Sequence, residues 1–396
     1  MSFKQFQIHK QIIDLIEAAG FEQPTEVQIK AIPQVMEGKD LRVSAQTGTG
    51  KAAAFLLPSM QKLIDEGSPK SGPGVLILVP TRELACQVAK EAQKFSQGLF
   101  KTICIYGGVP YPKQNQQLKR PYDLLVATPG RLIDHLERGR IHLKGLRMLI
   151  LDEADRMLDM GFQPSVQKIV ELCPKKKQTL LFSATLSSEV LKLSDQFLKN
   201  PTQIEISPKE EKHSSIQEHF EETKDLNHKH VLLNEILERD EVDQAIVFTA
   251  TKRSSDDLAD KLSEDGHDAS SLHGDMDQKK RTRTINAFRK KKIRFLVATD
   301  VAARGIDIPT ISHVINFDLP RAPEDYVHRI GRTGRAGSKG TAYSFVGRKD
   351  RGALKGIEKY TGLKTNLFLD NPIKKKNRFS KRKTFQKRRR IGGIVV

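Results

Sequence analysis

The chain has 396 residues, 38% of them hydrophobic and 29% charged, with a formal net charge of +19. That length suits two domains of roughly 150–200 residues better than one core. No apolar run approaches the ~18 residues of a membrane span, and the opening MSFKQFQIHK lacks the apolar centre of a secretory signal. Cys86, Cys104 and Cys173 are widely spaced with no CxxC pair, which argues against a disulfide framework or zinc site and for a reducing, cytoplasmic setting.

Taken from the N-terminus, the first β signal is Leu41–Ser44, which runs into Ala45-Gln46-Thr47-Gly48-Thr49-Gly50-Lys51. Glycines at 48 and 50 let the backbone turn its N–H groups toward a phosphate, and the next helix adds its N-terminal dipole. Lys51 supplies positive charge for terminal phosphates. An ordinary glycine turn is the competing reading, and the order Gly-x-Gly-Lys after a strand weighs against it. The phosphate-loop pattern places Ser or Thr after the lysine to ligate Mg²⁺. Here that residue is Ala52, which has no ligand atom. Nucleotide binding is expected to survive through the backbone and Lys51, and Mg²⁺-dependent turnover to suffer.

Val75–Val79 (VLILV), Leu124–Ala127 (LLVA), Met148–Leu151 (MLIL) and Thr179–Phe182 (TLLF) then read as buried strands. Ala245–Phe248 (AIVF), Arg294–Ala298 (RFLVA) and His313–Phe317 (HVINF) repeat the scheme in the second half. Near-continuous apolar strands alternating with amphipathic stretches predict an α/β fold whose parallel sheets carry helices on both faces. The polar, Pro-containing segment ISPKEEKHSS at 206–215 reads as a linker. The expected division is therefore 1–205, a linker at 206–215, 216–368, and a tail at 369–396.

Leu151 leads into Asp152-Glu153-Ala154-Asp155. Carboxylates at the C-terminal end of a parallel strand lie where such sheets bind ligands. Asp152 can hold Mg²⁺ through its water shell and Glu153 can orient and deprotonate an attacking water. An acidic helix start is the plain alternative, and the phosphate loop about 100 residues upstream favours catalysis.

These residues resemble the DEAD-box family of superfamily 2 RNA helicases. The resemblance covers about residues 1–365 and implies two tandem RecA-like domains that bind ATP between them and clamp RNA across both. Gly20-Phe21-Glu22-Gln23-Pro24-Thr25-Glu26-Val27-Gln28 is similar to the family's Q motif, with Phe3 upstream. The resemblance assigns adenine recognition to Phe3, Phe21 and Gln28; a core role for Phe3 is the alternative. It assigns first-domain RNA contacts to Thr81 and Arg82, to Gly107 and Gly108, and to Thr128, Gly130 and Arg131. Ser183 and Thr185 resemble the motif that couples the ATP site to unwinding, through Asp155 or His328.

In the second half, ATDVAARGIDI at 298–308 and HRIGRTGRAG at 328–337 carry the likeness. It implies that Asp307 binds the ATP ribose and that Arg332 and Arg335 are arginine fingers. His328, Arg332 and Arg335 fall at i, i+4 and i+7, which predicts one helical face. Thr249, Gly274, Gln278, Arg281 and Thr299 resemble second-domain RNA contacts. The compact core and basic tail resemble bacterial helicases of the RhlE type.

The tail concentrates the charge, with eleven Lys/Arg and no acid between Asn371 and Arg390. It is too polar to order itself. With Phe379 and Phe385 interleaved, it is expected to tether structured RNA; a solubilising end or a nuclear localisation signal is the alternative. The expected partner is RNA, read through its backbone without sequence preference, with no membrane association and a monomer favoured. An RNA-stimulated ATPase that unwinds short duplexes is the leading function. A hydrolysis-deficient, ATP-dependent RNA clamp and a DNA-directed translocase of the same superfamily are the alternatives. Phosphate release with RNA, with DNA and with neither separates the three.

Overall fold

A computed structural model of the chain describes residues 2–45, 48–69, 71–206, 216–303, 311–334, 339–365 and 367. The apolar runs become strands and the strands gather into two sheets. The first sheet contains β1 (Leu41–Ser44), β2 (Val75–Leu78), β3 (Thr102–Ile105), β4 (Leu124–Ala127), β5 (Met148–Leu151), β6 (Gln178–Ser183) and β7 (Thr202–Glu205). Their order is β3-β4-β2-β5-β6-β1-β7. The second contains β8 (Ile216–Thr223), β9 (Ala245–Phe248), β10 (Ala269–Leu272), β11 (Phe295–Ala298), β12 (His313–Asn316) and β13 (Gly340–Gly347). Its order is β10-β11-β9-β12-β13-β8. Every pairing within both sheets is parallel.

A parallel sheet needs helical crossovers, which cover its faces and force central strands to be apolar on both sides. In β2, Val75 and Ile77 enter one core while Leu76 and Leu78 enter another. The second sheet does the same: Ile246 and Phe248 of β9 face one cluster, Ala245 and Val247 the other. Helices therefore pack on both faces of each sheet, as tandem RecA-like domains require.

The crossovers also fix where function can sit. In each lobe the strands share one direction, so the loops after β1, β2, β4, β5 and β6, and those after β9, β10 and β11, emerge at the C-terminal edge of their sheet. Most of the residues singled out in the sequence lie on those loops. Thr47, Asp307, Arg335, residues 207–215 of the linker and the tail from residue 368 fall outside the described residues.

Candidate functional site

The phosphate loop leaves β1 at Ser44, and the helix Lys51–Glu66 starts immediately after Gly50. Gly48 (φ 82°) and Gly50 (φ 90°) both occupy the left-handed region. A Cβ on Gly50 would lie 2.4 Å from Gln28 Nε2, so only glycine fits. Gln28 is itself 1% exposed. Its Oε1 accepts from the Thr25 N–H at 2.9 Å, capping the helix Glu26–Met36, and its Nε2 donates to the Gly50 carbonyl at 3.0 Å. One amide thus ties the Q-motif helix to the phosphate loop. Lys51 is buried and folds back, Nζ donating to the Ala45 carbonyl at 3.0 Å. The ammonium keeps the loop shaped around the place a phosphate would take. The methyl of Ala52 packs against the core beside it.

Across the sheet, Asp152 and Glu153 leave β5 fully covered, at 4% and 5% exposure. The Glu153 N–H donates to Asp152 Oδ1 at 3.0 Å. Burial pushes the Asp152 carboxyl up to about 6, the Lys51 ammonium opposing the rise and the Glu153 carboxylate adding to it. Such a hard, crowded carboxylate suits a divalent cation, whose charge would relieve the crowding. Glu153 adopts φ 54°, ψ 51°, a left-handed backbone costly for a non-glycine residue. Its Oε2 lies 3.5 Å from Arg156 Nε, both side chains being buried.

Asp155 is enclosed by the strap after β6. Its Oδ2 accepts from the Ala184 N–H at 3.0 Å, the Thr185 N–H at 3.1 Å and the Thr185 hydroxyl at 3.3 Å, while its own N–H donates to Ser183 Oγ at 3.3 Å. Movement of the acidic loop must therefore carry residues 183–185 with it. On the far side of that strap lies a cavity of about 600 Å³ between the lobes. Asp155 and Thr185 of the first lobe line it, together with Asp325, His328 and Tyr360 of the second. His328 Nδ1 stands 4.0 Å from Asp325 Oδ1.

The RNA-class residues converge from both lobes. Thr81 caps the helix Arg82–Ser96 by accepting the Leu84 N–H at 3.2 Å. Arg82 Nη1 then donates to Gln278 Oε1 of the second lobe at 2.6 Å. Its neighbour Glu83 accepts from Arg281 Nε at 2.5 Å, and Arg281 Nη2 continues to the Ala302 carbonyl at 2.8 Å. Arg82 also covers the Gly107-Gly108 turn, where a Cβ on Gly108 (φ 78°) would lie 2.2 Å from Nη1. Thr128 is buried where β4 meets its helix, and Gly130 leaves open space above that helix start. In the second lobe Thr249 and Thr299 are buried at the ends of β9 and β11. Gly274 lies beneath Lys252, which pairs with Asp275 at 2.5 Å.

Three expectations need correction. Phe3 is 1% exposed and packs edge-on against Phe6 with ring centroids 6.0 Å apart. With no face uncovered for a base, it is a core residue. Phe21 is half-buried between Phe95 and Lys94, whose Nζ is 5.2 Å from the ring centroid. Arg131 does not offer its guanidinium outward. It donates to the Val109 carbonyl at 2.8 Å and to Gln114 Oε1 at 2.9 Å, and lies 4.3 Å over the Tyr111 ring. It braces the Gly107-Gly108 loop from below. The predicted helical face of His328, Arg332 and Arg335 also stops short of Arg332, because the helix Pro323–Ile330 ends at Gly331; Arg335 lies outside the described residues. Gly331 caps the helix one residue before Arg332, and Gly334 follows in the left-handed region at φ 64°. His328 and Arg332 nevertheless line a common niche with Asp300, Asp325 and Arg329. Glu83 and Arg156 were not singled out in the sequence. The one signal for Glu83 was an acid among contact residues of opposite charge, and for Arg156 its i+3 spacing from Glu153.

Two family models match the chain: DEAD/DEAH box helicase over residues 25–193, and Helicase conserved C-terminal domain over residues 227–337. The ATP-dependent RNA helicase SrmB of Haemophilus influenzae is 42% identical over 362 residues, covering 91% of this chain and 82% of the relative. The DEAD-box ATP-dependent RNA helicase CshA of Bacillus cereus is 40% identical over 361 residues, covering 91% and 68%. Among solved structures, Saccharomyces cerevisiae Dbp5 bound to RNA and ADP BeF3 superposes with a TM-score of 0.82 at 33% identity, covering 91% of this chain and 93% of that one. With both lobes matched in order and the acidic tetrapeptide at 152–155 seated beside a phosphate loop, this chain belongs to the DEAD-box helicase family.

Proposed function

We propose that the protein is an ATP-dependent RNA helicase whose RNA-stimulated ATP hydrolysis drives local unwinding of short duplexes or remodelling of RNA–protein complexes. The observation that carries the proposal is the interlocked pairing of Arg82 with Gln278 and Glu83 with Arg281. These bonds exist only when the lobes meet, and they lie among the residues assigned to RNA. The resemblance to Dbp5 bound to RNA and ADP BeF3 supports this reading, since both lobes superpose together.

On this reading residues 1–205 and 216–368 are the two lobes. The N–H groups of residues 47–50 and Lys51 hold the phosphates, Phe21 flanks the adenine, Gln28 meets it once its buried amide turns from the Gly50 carbonyl toward the base, and Asp307 meets the ribose. Asp152 fits a Mg²⁺ site through its water shell; bound there, the ion would neutralise charge developing on the transferred phosphoryl group. Glu153 orients the attacking water and takes its proton. Arg332 and Arg335 approach from the second lobe. Asp155, Ser183, Thr185 and His328 transmit closure to the RNA face. Neither lobe is complete alone, so ATP and RNA each favour closure and each strengthens the other's binding.

RNA is held by sugar and phosphate, so little base preference follows, and the 2′-OH distinguishes it from DNA. The tail tethers structured RNA, and the protein works in the cytoplasm as a monomer. The test is phosphate release at saturating ATP with RNA, with DNA of the same sequence and with neither. Stimulation by RNA alone is expected; equal stimulation by DNA would replace the assignment with a DNA-directed translocase.

A further inference from the structure

Arg156 is among the most deeply buried large side chains of the protein, at 2% exposure. It lies on the short helix that begins directly after Glu153. Its Nε is 3.5 Å from Glu153 Oε2, whereas Nη1 and Nη2 have no hydrogen-bond partner among the described residues. A buried guanidinium with this little compensation is unfavourable: replacing a buried pair as a whole with apolar side chains of similar volume often stabilises a fold, whereas removing one partner strands the other's charge. Its placement therefore calls for a reason other than packing. Glu153 supplies the second observation. It holds a left-handed backbone at φ 54° without being glycine, and such a conformation persists only where the surroundings over-determine it. The third is its surroundings: Asp152 takes the Glu153 N–H at the backbone, and at the carboxylate Arg156 Nε is the ion-pair contact of an Oε2 that has no hydrogen-bond partner among the described residues.

We propose that Arg156 is a positioning residue for hydrolysis: it holds the Glu153 carboxylate in the orientation that receives the attacking water. It touches neither nucleotide nor water itself. It stands to Glu153 as the third group of a catalytic triad stands to its base. This rests on the reading of Glu153 as the group that orients the water. Because Arg156 also lines the interlobe cavity beside Asp155, Thr185 and His328, closure of that cavity bears on the residue that aims Glu153.

The test compares Arg156→Met, Arg156→Lys, Glu153→Gln and the Glu153→Gln/Arg156→Met double variant in the full chain. The same set is made on an Ala52→Thr background, which raises the signal. Single-turnover ATP hydrolysis with saturating RNA, KM for ATP and thermal melting are read for each. Arg156→Met is expected to lower kcat at least tenfold with KM for ATP within twofold. Arg156→Lys should recover most of that loss, and the double variant should be no slower than Glu153→Gln alone. A purely structural residue would instead shift kcat and KM together and add its deficit in full to that of Glu153→Gln, whereas a fall in Tm is expected on either account because Arg156→Met strands the buried Glu153 charge. That pattern, or wild-type kcat in Arg156→Met, overturns the proposal. Should Arg156→Met fail to fold, Arg156→Lys decides through its kcat at unchanged KM, and the double variant does so through additivity. Wild-type hydrolysis by Glu153→Gln would be a different failure, that of the assigned base.

Discussion

Removing the Glu83 carboxylate should uncouple the two ligands without touching either. The Glu83–Arg281 pair spans the lobes at 2.5 Å, with side chains 15% and 10% exposed. At that separation and an effective dielectric of about 20, the Coulomb attraction is about 7 kcal/mol. Desolvating two charges consumes several kcal/mol, and close charge pairs across interfaces retain roughly 1.5–3 kcal/mol. Glu83→Gln should therefore reduce the factor by which ATP strengthens RNA binding about 10- to 100-fold, at 1.4 kcal/mol per tenfold. The assay is RNA Kd by fluorescence anisotropy, with and without a non-hydrolysable ATP analogue. Glu83 repels phosphate, so its neutralisation should leave RNA binding without nucleotide unchanged or slightly tighter, opposite in sign to the loss of cooperativity. Arg281→Gln adds the second arm of a double-mutant cycle. An ATP-to-RNA coupling within twofold of wild type in Glu83→Gln would refute the closing role of this pair.

Three further outcomes follow from the site. Ala52→Thr restores a hydroxyl beside Lys51 and should raise RNA-stimulated kcat at least tenfold in a Mg²⁺ titration; equal rates in both proteins would mean the hydroxyl is dispensable. Gly108→Ala forces a Cβ into Arg82 Nη1 at a positive φ, so it should lower stability by about 1–2 kcal/mol and weaken RNA binding. Chemical melts and anisotropy measure both, and an unchanged RNA Kd would remove Arg82 from that surface. The Cys104 thiol hydrogen-bonds Cys86 and brings it down to about 6, against the opposing effect of burial, while burial pushes Cys173 up to about 11. Iodoacetamide at pH 7 should label Cys86 first and Cys173 last, as mapped by mass spectrometry; the reverse order would contradict the arrangement around β3.

Much of the fold was legible because central parallel strands must be apolar on both faces. VLIL, LLVA, MLIL and AIVF announced themselves for that reason. Most strands that escaped reading lie at a sheet edge and carry no such run; β13, GTAYSFVG, is interior and escaped because Tyr343 and Ser344 interrupt its aliphatic pattern. β8, IQEHFEET, is a sheet edge and is mostly half-exposed, and β10, ASSL, edges the same sheet with polar residues. Edge strands have one neighbour and less to bury, so their pattern weakens. In the site, residue order located the phosphate loop and the acidic tetrapeptide because each is a contiguous backbone device. Pairings such as Arg281 with Glu83 join residues 198 positions apart, and no local pattern encodes them. Arg131 misled because a guanidinium after a strand looks the same in sequence whether it points outward or braces a loop.

The wholly parallel pairing has a consequence for synthesis on the ribosome. β1, near the start of the chain, is flanked by β6 and β7, so its place does not exist until residues 178–205 have emerged. Until then the edges of β1 are open to wrong partners, whereas β4 finds β3 and β2 already made and β2 is enclosed once β5 has emerged. The second lobe repeats the problem, as β8 at residues 216–223 waits for β13 at 340–347. Each lobe is thus sealed by its own last strands, and the first can finish before the second has begun. Slowing translation shortly after residue 205 should raise the yield of native protein, and slowing it before residue 178 should favour aggregation.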